Sequence, residues 1–514
     1  MGCCAPRPEQ ETKADNETNK SRDSLIQSIK QNPIKSSRTH AFSRKPSFKP
    51  NTNVSEIIEP VITNNLQGSL KQYYQTVKIA CKGTDKEFLI AIDKRTQTKR
   101  VLKKYPRPKN DIEVRELFLE KAEILKQMDH PNIQKTYESI ETSSCYYIAS
   151  EYFGGVELLK KIISDSYLSD SIASQCMYDI FNGLNYCHQR GIIHSHLKSE
   201  NLFFEAKSSD SRLKVANFDL SSYLYGKKNV KTTVRDMYYK APEASNGISN
   251  EKSDLWSAGV ILHIMITGKF PFIGNNKKDI LALTKQGLDL TTPQWLQYPE
   301  SLIDLLKKLL AFNPADRPSA FEAMNHPWIQ SNLSSPSGAN PLYSSALTQL
   351  NDFRKKSKFE KCILTFIASN TLTKEEEKQL TDLFEQLDTN KDGKLSKEEL
   401  KAGYEHMDID ATIDIDAIMK SCDADGNGTI EFSEFLAAAI DWNKMISQEK
   451  LKKAFKLYDI SGDGSLNLSE LQYSMPKVPK EELQEFIKLL DKNHDNLISY
   501  QEFVAFMKQL IKNS

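Results

Sequence analysis

The sequence predicts a multidomain chain in which a bilobal α+β domain is followed by an all-α domain. Three observations predict this. At 514 residues with 39% hydrophobic content, the chain exceeds one ordinary domain and can supply more than one core. Between Tyr73 and about Gln330, short β-like runs such as Tyr146-Tyr147-Ile148 give way to long helical patterns and apolar stretches such as Trp256 to Ile266, a small β-rich lobe ahead of a larger helical one. The last quarter then repeats one acidic loop four times. The expected boundaries are 1–65, 66–330, 331–375 and 376–514.

Residues 1–65 are rich in Ser, Thr, Asn, Lys and Pro without sustained apolar periodicity and read as disordered. Between Ser24 and Ser55 stand Lys30, Lys35, Arg38, Arg44, Lys45 and Lys49 with no acidic residue, which favours an anionic surface as neighbour. The opening Met1-Gly2-Cys3-Cys4 offers a myristoylation glycine and two palmitoylation cysteines, although Pro6 departs from the preferred Ser or Thr. A single myristoyl chain binds only marginally, on the order of 10⁴ M⁻¹, so anchoring would need the cysteines or the basic run as a second signal. Lys+Arg 69 against Asp+Glu 68 gives no global case for nucleic acid as a partner. Eight cysteines without paired spacing and the lack of a signal-peptide pattern point to the cytoplasm, at a membrane surface. No run approaches 18 uninterrupted apolar residues.

The four loops follow one rule: oxygen ligands at positions 1, 3, 5 and 9, a backbone carbonyl at 7, a sharp turn at 6 and a bidentate Glu at 12. The first supplies Asp388, Asn390, Asp392, Lys394, Ser396 and Glu399; the second Asp423, Asp425, Asn427, Thr429, Glu431 and Glu434. The third supplies Asp459, Ser461, Asp463, Ser465, Asn467 and Glu470; the fourth Asp491, Asn493, Asp495, Leu497, Ser499 and Glu502. Position 6 is Gly393, Gly428 and Gly464, then Asn496, which tolerates positive φ best after Gly and so weakens the fourth site without abolishing it. Position 8 is apolar throughout (Leu395, Ile430, Leu466, Ile498), as a short β-bridge between paired loops requires. Leu380, Leu383, Phe384 and Leu387 mark an amphipathic entering helix. These are EF-hands, expected to bind up to four Ca²⁺, and residues 376–514 resemble calmodulin.

Upstream, Ala241-Pro242-Glu243, Ser253-Asp254-Leu255-Trp256-Ser257, Arg317-Pro318 and His326-Pro327-Trp328 match framework motifs of the protein kinase domain. Residues 73–330 thus resemble a bilobal protein-kinase fold, and the whole chain resembles the calcium-dependent protein kinases of plants and protists. The resemblance implies that Glu243 and Arg317 form a buried ion pair. It also assigns nucleotide contacts: Lys103 for the α- and β-phosphates, Glu157 for the ribose, Lys198 for the γ-phosphate, Asn201 for a metal ion, and Gly83 as what remains of the phosphate loop.

The departures from the family pattern are equally specific. The three phosphate-loop glycine positions are Cys81, Gly83 and Lys86. The glutamate that should pair with Lys103 is Lys121, unless neighbouring Glu120 substitutes. H-R-D is His194-Ser195-His196, and D-F-G is Asn217-Phe218-Asp219, so the hydroxyl-orienting carboxylate, the chief metal carboxylate and the hinge glycine are replaced by His196, Asn217 and Asp219. Asp236 stands where Thr is usual. A pseudokinase is therefore expected, with ATP an admissible ligand and Mg²⁺ contributing little. The competing reading is a calcium-activated Ser/Thr kinase with residual activity.

Between the domains, Ala346 to Ala368 interleaves Leu347, Leu350, Phe353, Phe359, Ile363, Phe366 and Ile367 with Arg354, Lys355, Lys356, Lys358 and Lys361, the pattern of a basic amphipathic helix of the calmodulin-target type. Such a helix either moves with calcium or packs permanently on the kinase lobe. The resemblance implies the first: an intramolecular partner that blocks the substrate cleft until calcium opens the sensor.

Overall fold

The computed structural model describes residues 65–512 except 83–86, 108–111, 209–210, 219–233, 248, 334–340, 354–355, 357, 373, 407–413, 424–425 and 476–477. Gly2, Cys3, Cys4, the basic run before Ser55, Gly83, Lys86, Asp219, Arg354, Lys355 and Asp425 thus lie outside the described residues. The described chain divides into two compact units, one of residues 153–218 and 234–333, the other of residues 65–152 and 341–512.

In the second of these, strands β1 (Asn65–Gln67), β2 (Tyr74–Lys82), β3 (Glu87–Asp93), β4 (Lys99–Pro106), β5 (Thr136–Glu141) and β6 (Cys145–Glu151) form one sheet in the order β1-β5-β6-β4-β3-β2. All pairings are antiparallel except β1 on β5. β1 includes Asn65, the last residue of the segment read from the sequence as disordered. β6, paired with β5 and β4, is buried along its whole length. Helix Ile112–Gln127 turns Phe118, Ala122 and Leu125 inward, and Phe118 stacks on Tyr146 with centroids 4.5 Å apart.

In the other unit, helix Asp170–Gln189 is buried all round over 179–187 and helix Glu251–Thr267 over 253–266, so these stretches carry no exposed polar face. The second starts at an Asn250 capping box and ends on Gly268 at φ 67. The expected Glu243–Arg317 pair is present: the guanidinium donates to both carboxylate oxygens at 2.7 and 2.9 Å and lies 4.9 Å from the Trp256 ring. A short hairpin, β7 (Leu202–Phe204) and β8 (Leu213–Val215), follows the loop of His194, Ser195 and His196, which the resemblance makes the catalytic loop.

Among the described residues, the C-terminal part is all-α apart from two two-stranded bridges. Helix pairs Lys374–Leu387 and Lys397–His406, Ile415–Cys422 and Phe432–Ala439, Gln448–Tyr458 and Leu468–Ser474, and Lys480–Leu490 and Tyr500–Lys512 flank the four loops. The bridges join Leu395 to Ile430 and Leu466 to Ile498, the position-8 residues, each at most 1% exposed.

The junction departs from expectation. Instead of one helix over 346–368 there are two, Pro341–Phe353 and Lys358–Thr371. The first helix buries Leu347, Leu350 and Phe353, and the second buries Ile363, Leu364, Phe366 and Ile367, with Lys361 buried among them.

Candidate functional site

Each EF-hand loop is closed by the same circle of bonds. In the first, Asp388 accepts from the N–H groups of Asp392 and Gly393 at 3.1 and 2.9 Å, and Glu399 accepts from those of Thr389, Asn390 and Ser396 at 3.0, 3.1 and 2.9 Å. Asp423, Asp459 and Asp491 accept from the position-6 N–H groups of Gly428, Gly464 and Asn496 at 2.7, 3.0 and 2.7 Å. Glu434, Glu470 and Glu502 accept from the position-9 N–H groups of Glu431, Asn467 and Ser499 at 2.9, 3.1 and 2.8 Å. The N–H groups of Lys394, Thr429, Ser465 and Leu497 donate to the position-5 side chains of Asp392, Asn427, Asp463 and Asp495. At position 3, Asn390 and Asn493 accept from the backbone N–H of position 5 in their loops, while Ser461 Oγ lies 3.4 Å from Asp459.

The fit to a hard divalent cation rests on this donor set: short carboxylate and carboxamide oxygens turned into a backbone ring. Burial pushes the Asp388 carboxyl up to about 7 against the pull of Lys391 and the Gly393 N–H, and Asp392 and Glu399 push the same way. A bound cation would relieve that crowding of negative charge. Each position-12 glutamate accepts from backbone N–H groups of its own loop. Asn496 stands at φ 62 beside 77, 84 and 90 for Gly393, Gly428 and Gly464, the left-handed conformation its position demands.

The junction helices lie in the apolar core of these EF-hands, with Leu347, Leu350, Phe353, Ile363, Leu364, Phe366 and Ile367 all buried. Phe366 meets Tyr458, the residue before loop 3, with ring centroids 4.4 Å apart. Tyr404 Oη donates to the Leu347 carbonyl at 2.6 Å, and Lys356 Nζ to that of Leu510 at 3.2 Å. In the same unit the Ser433 N–H, within loop 2, donates to Asp129 Oδ2 at 2.7 Å, and Ile460 and Tyr473 pack on the cluster around Leu89 and Tyr147.

In the sheet, Lys103 is centred on β4 between Phe88 and Ile148 and is 4% exposed. Glu120 is largely exposed and binds Lys121 at 2.8 Å, so it is turned to its neighbour and does not substitute for the missing glutamate.

The remaining kinase-type residues lie in the other unit. Glu157 precedes helix Leu158–Asp165 without a side-chain capping bond, bridges to Phe203 and pairs with Lys160 at 3.1 Å. Two residues earlier, a Cβ on Gly155 would stand 2.3 Å from the Phe204 carbonyl oxygen. Buried Asp254 accepts from the N–H groups of His194 and Ser195, each at 2.9 Å, and holds Ser195 at φ 60. His194 contacts the Ala216 carbonyl at 3.0 Å and the Phe218 ring at 4.6 Å between centroids. The loop backbone is therefore fixed by groups other than the side chain at 196.

What that loop presents has changed. Asn201 Nδ2 donates to the His196 carbonyl at 2.8 Å, which aims Asn201 Oδ1 at Asn217, whose Nδ2 donates to it at 3.2 Å. Asn217 sits at φ 66. Lys198 Nζ donates to Asp236 Oδ1 at 2.8 Å, and His196 Nε2 lies 3.7 Å from the same oxygen. Sequence reasoning marked Asp236 as a departure but missed these contacts, and nothing local in the sequence points to the Asp129–Ser433 bond.

Residues 74–329 match the protein kinase domain, and residues 377–440 and 448–508 match the EF-hand domain pair. The chain is 33% identical over 482 residues to "Calcium-dependent protein kinase 4" of Plasmodium berghei (strain Anka), covering 89% of this chain and 90% of that protein. It is 34% identical over 481 residues to the protein of the same name in Plasmodium falciparum (isolate 3D7), with the same coverage. Against "Calcium-dependent protein kinase 3" of Plasmodium berghei (strain Anka) it is 31% identical over 461 residues, covering 86% of this chain and 81% of the relative.

Proposed function

Because the chain belongs to the calcium-dependent protein kinase family, we propose that it acts as a calcium-responsive pseudokinase, switching an interaction surface through its EF-hands and junction. The observation that carries this reading is the Asn217–Asn201 bond. The oxygen the family uses toward a metal ion is taken up by an amide N–H, and no carboxylate stands at 196 or 217. The charge on a transferring phosphoryl group is neutralised by the metal ions that such a carboxylate would hold, and a neutral amide is a much weaker ligand for Mg²⁺. ATP remains an admissible ligand through Lys103, Glu157, Lys198 and Asn201, with Mg²⁺ adding little.

The test is phosphotransfer by the wild type with calcium and Mg-ATP against a Lys103→Ala control. No difference is expected. Calcium-stimulated transfer lost in the control would favour a degenerate Ser/Thr kinase instead, a reading supported by the burial of Lys103 and the intact Asp254 scaffold.

Cytoplasmic placement at a membrane surface through Gly2, Cys3, Cys4 and the basic N-terminal run belongs to the same proposal. Gly2→Ala with Cys3→Ser and Cys4→Ser should release the protein from the membrane fraction, and an unchanged distribution would remove support for acylation.

A further inference from the structure

The carboxylate missing from position 196 has a counterpart across the loop. Asp236, on helix Val234–Tyr239, lies with Oδ1 2.8 Å from Lys198 Nζ and 3.7 Å from His196 Nε2. Its side chain is only 10% exposed, and that of Lys198 20%. The next cation along, Arg235, is matched by Glu200 at 3.2 Å. The lysine that would meet a terminal phosphate thus already holds a carboxylate at charge-assisted hydrogen-bond distance.

We propose that Asp236 is a specificity-determining residue that turns the Lys198 site away from a terminal phosphate, so that this chain takes a nucleoside diphosphate at least as readily as a triphosphate. The proposal rests on the reading of Lys198 as a phosphate contact. A γ-phosphate brought to Lys198 must either displace Asp236 or sit against it, and both penalise the triphosphate relative to the diphosphate, whose phosphates stop short of this lysine. The helix holding Asp236 also carries the buried Tyr238 and Tyr239, and Tyr239 Oη lies 2.7 Å from Ser199 Oγ, so the carboxylate is held in place by packing.

The experiment is calorimetry of the full chain with ATP and with ADP in EDTA, for wild type, Asp236→Asn and Asp236→Asn with Lys198→Met. The ratio Kd(ADP)/Kd(ATP) is expected at or below about one in wild type. Freeing the ammonium in Asp236→Asn should raise it about tenfold, and removing that ammonium should abolish the rise. A purely structural role for Asp236 would move both affinities together and leave the ratio alone. Nucleotide binding with an unchanged ratio in Asp236→Asn overturns the proposal alone. Absence of binding in all three proteins overturns it together with the reading of the nucleotide contacts. Asp236→Thr provides a second variant of different shape that should shift the ratio the same way.

Discussion

Phe366→Ala probes the link between the calcium loops and the junction. Phe366 is 2% exposed on helix Lys358–Thr371, and its ring lies 4.4 Å from that of Tyr458, the last residue before Asp459 of loop 3. Truncating a buried Phe costs about 3–5 kcal/mol, with the aromatic pair toward the upper end. About 4 kcal/mol corresponds to roughly three decades in affinity. A peptide of residues 341–371 should therefore bind fragment 376–514 in calcium about a thousandfold more weakly as the Phe366→Ala variant. Lys356→Ala removes one partly buried hydrogen bond to Leu510 and should cost about tenfold or less. Titration by fluorescence or calorimetry reads both. A loss below tenfold for Phe366→Ala would refute its placement in that core, and equal affinity in calcium and in chelator would refute the switch while leaving the packing intact.

Glu399→Gln and Glu434→Gln should each weaken calcium at its own loop by at least about tenfold, read by calorimetry; a loss spread equally over all four loops would contradict separate bidentate ligands. Burial pushes the Glu243 carboxyl up, but hydrogen bonds from Arg317, its own backbone and Ser253 hold it below the usual carboxylate range on balance. Its folded pKa is thus depressed, and its contribution is present above the unfolded value near about 4.3 and lost as pH falls through the folded value. Glu243→Gln should be less stable than wild type at pH 7, with the gap closing below about pH 4; a gap constant with pH would refute the ion pair as its source. Gly155→Ala would bring a Cβ against the Phe204 and Ala206 backbone oxygens and should cost about 1–3 kcal/mol by denaturant unfolding, so an unchanged midpoint would contradict the close approach.

How much of this was legible in the sequence depended on how local each feature is. An EF-hand fits its ligands into twelve residues, so the loops, their position-8 bridges and the left-handed Asn496 could all be read in advance. The losses at 196 and 217 were legible for the same reason. The Lys198–Asp236 pair spans 38 residues and the Asp129–Ser433 bond 304, and no pattern within a helix or strand encodes such partners. The junction was legible as an apolar and basic stripe. Its division into helices Pro341–Phe353 and Lys358–Thr371 was not, because which residues turn inward is set by the core that receives them.

The catalytic loop shows why its chemistry could change without loss of its shape, and what restoring that chemistry would require. Asp254 holds the His194 and Ser195 N–H groups, and His194 is fixed by Ala216 and Phe218; the side chain at 196 holds none of these contacts. His196→Asp should therefore fold. It would, however, put a second carboxylate beside Asp236, whose Oδ1 already binds Lys198 Nζ. Two unit charges roughly 5–6 Å apart repel by about 1–3 kcal/mol between the dielectric of water and that of a protein surface. His196→Asp alone should be destabilised by an amount in that range, and Asp236→Thr should relieve most of it, since one carboxylate would again face the lysine. A double-mutant cycle on unfolding free energy reads the coupling directly. Additive effects would show that the two positions do not share Lys198, and that restoring a carboxylate at 196 needs no compensating change at 236.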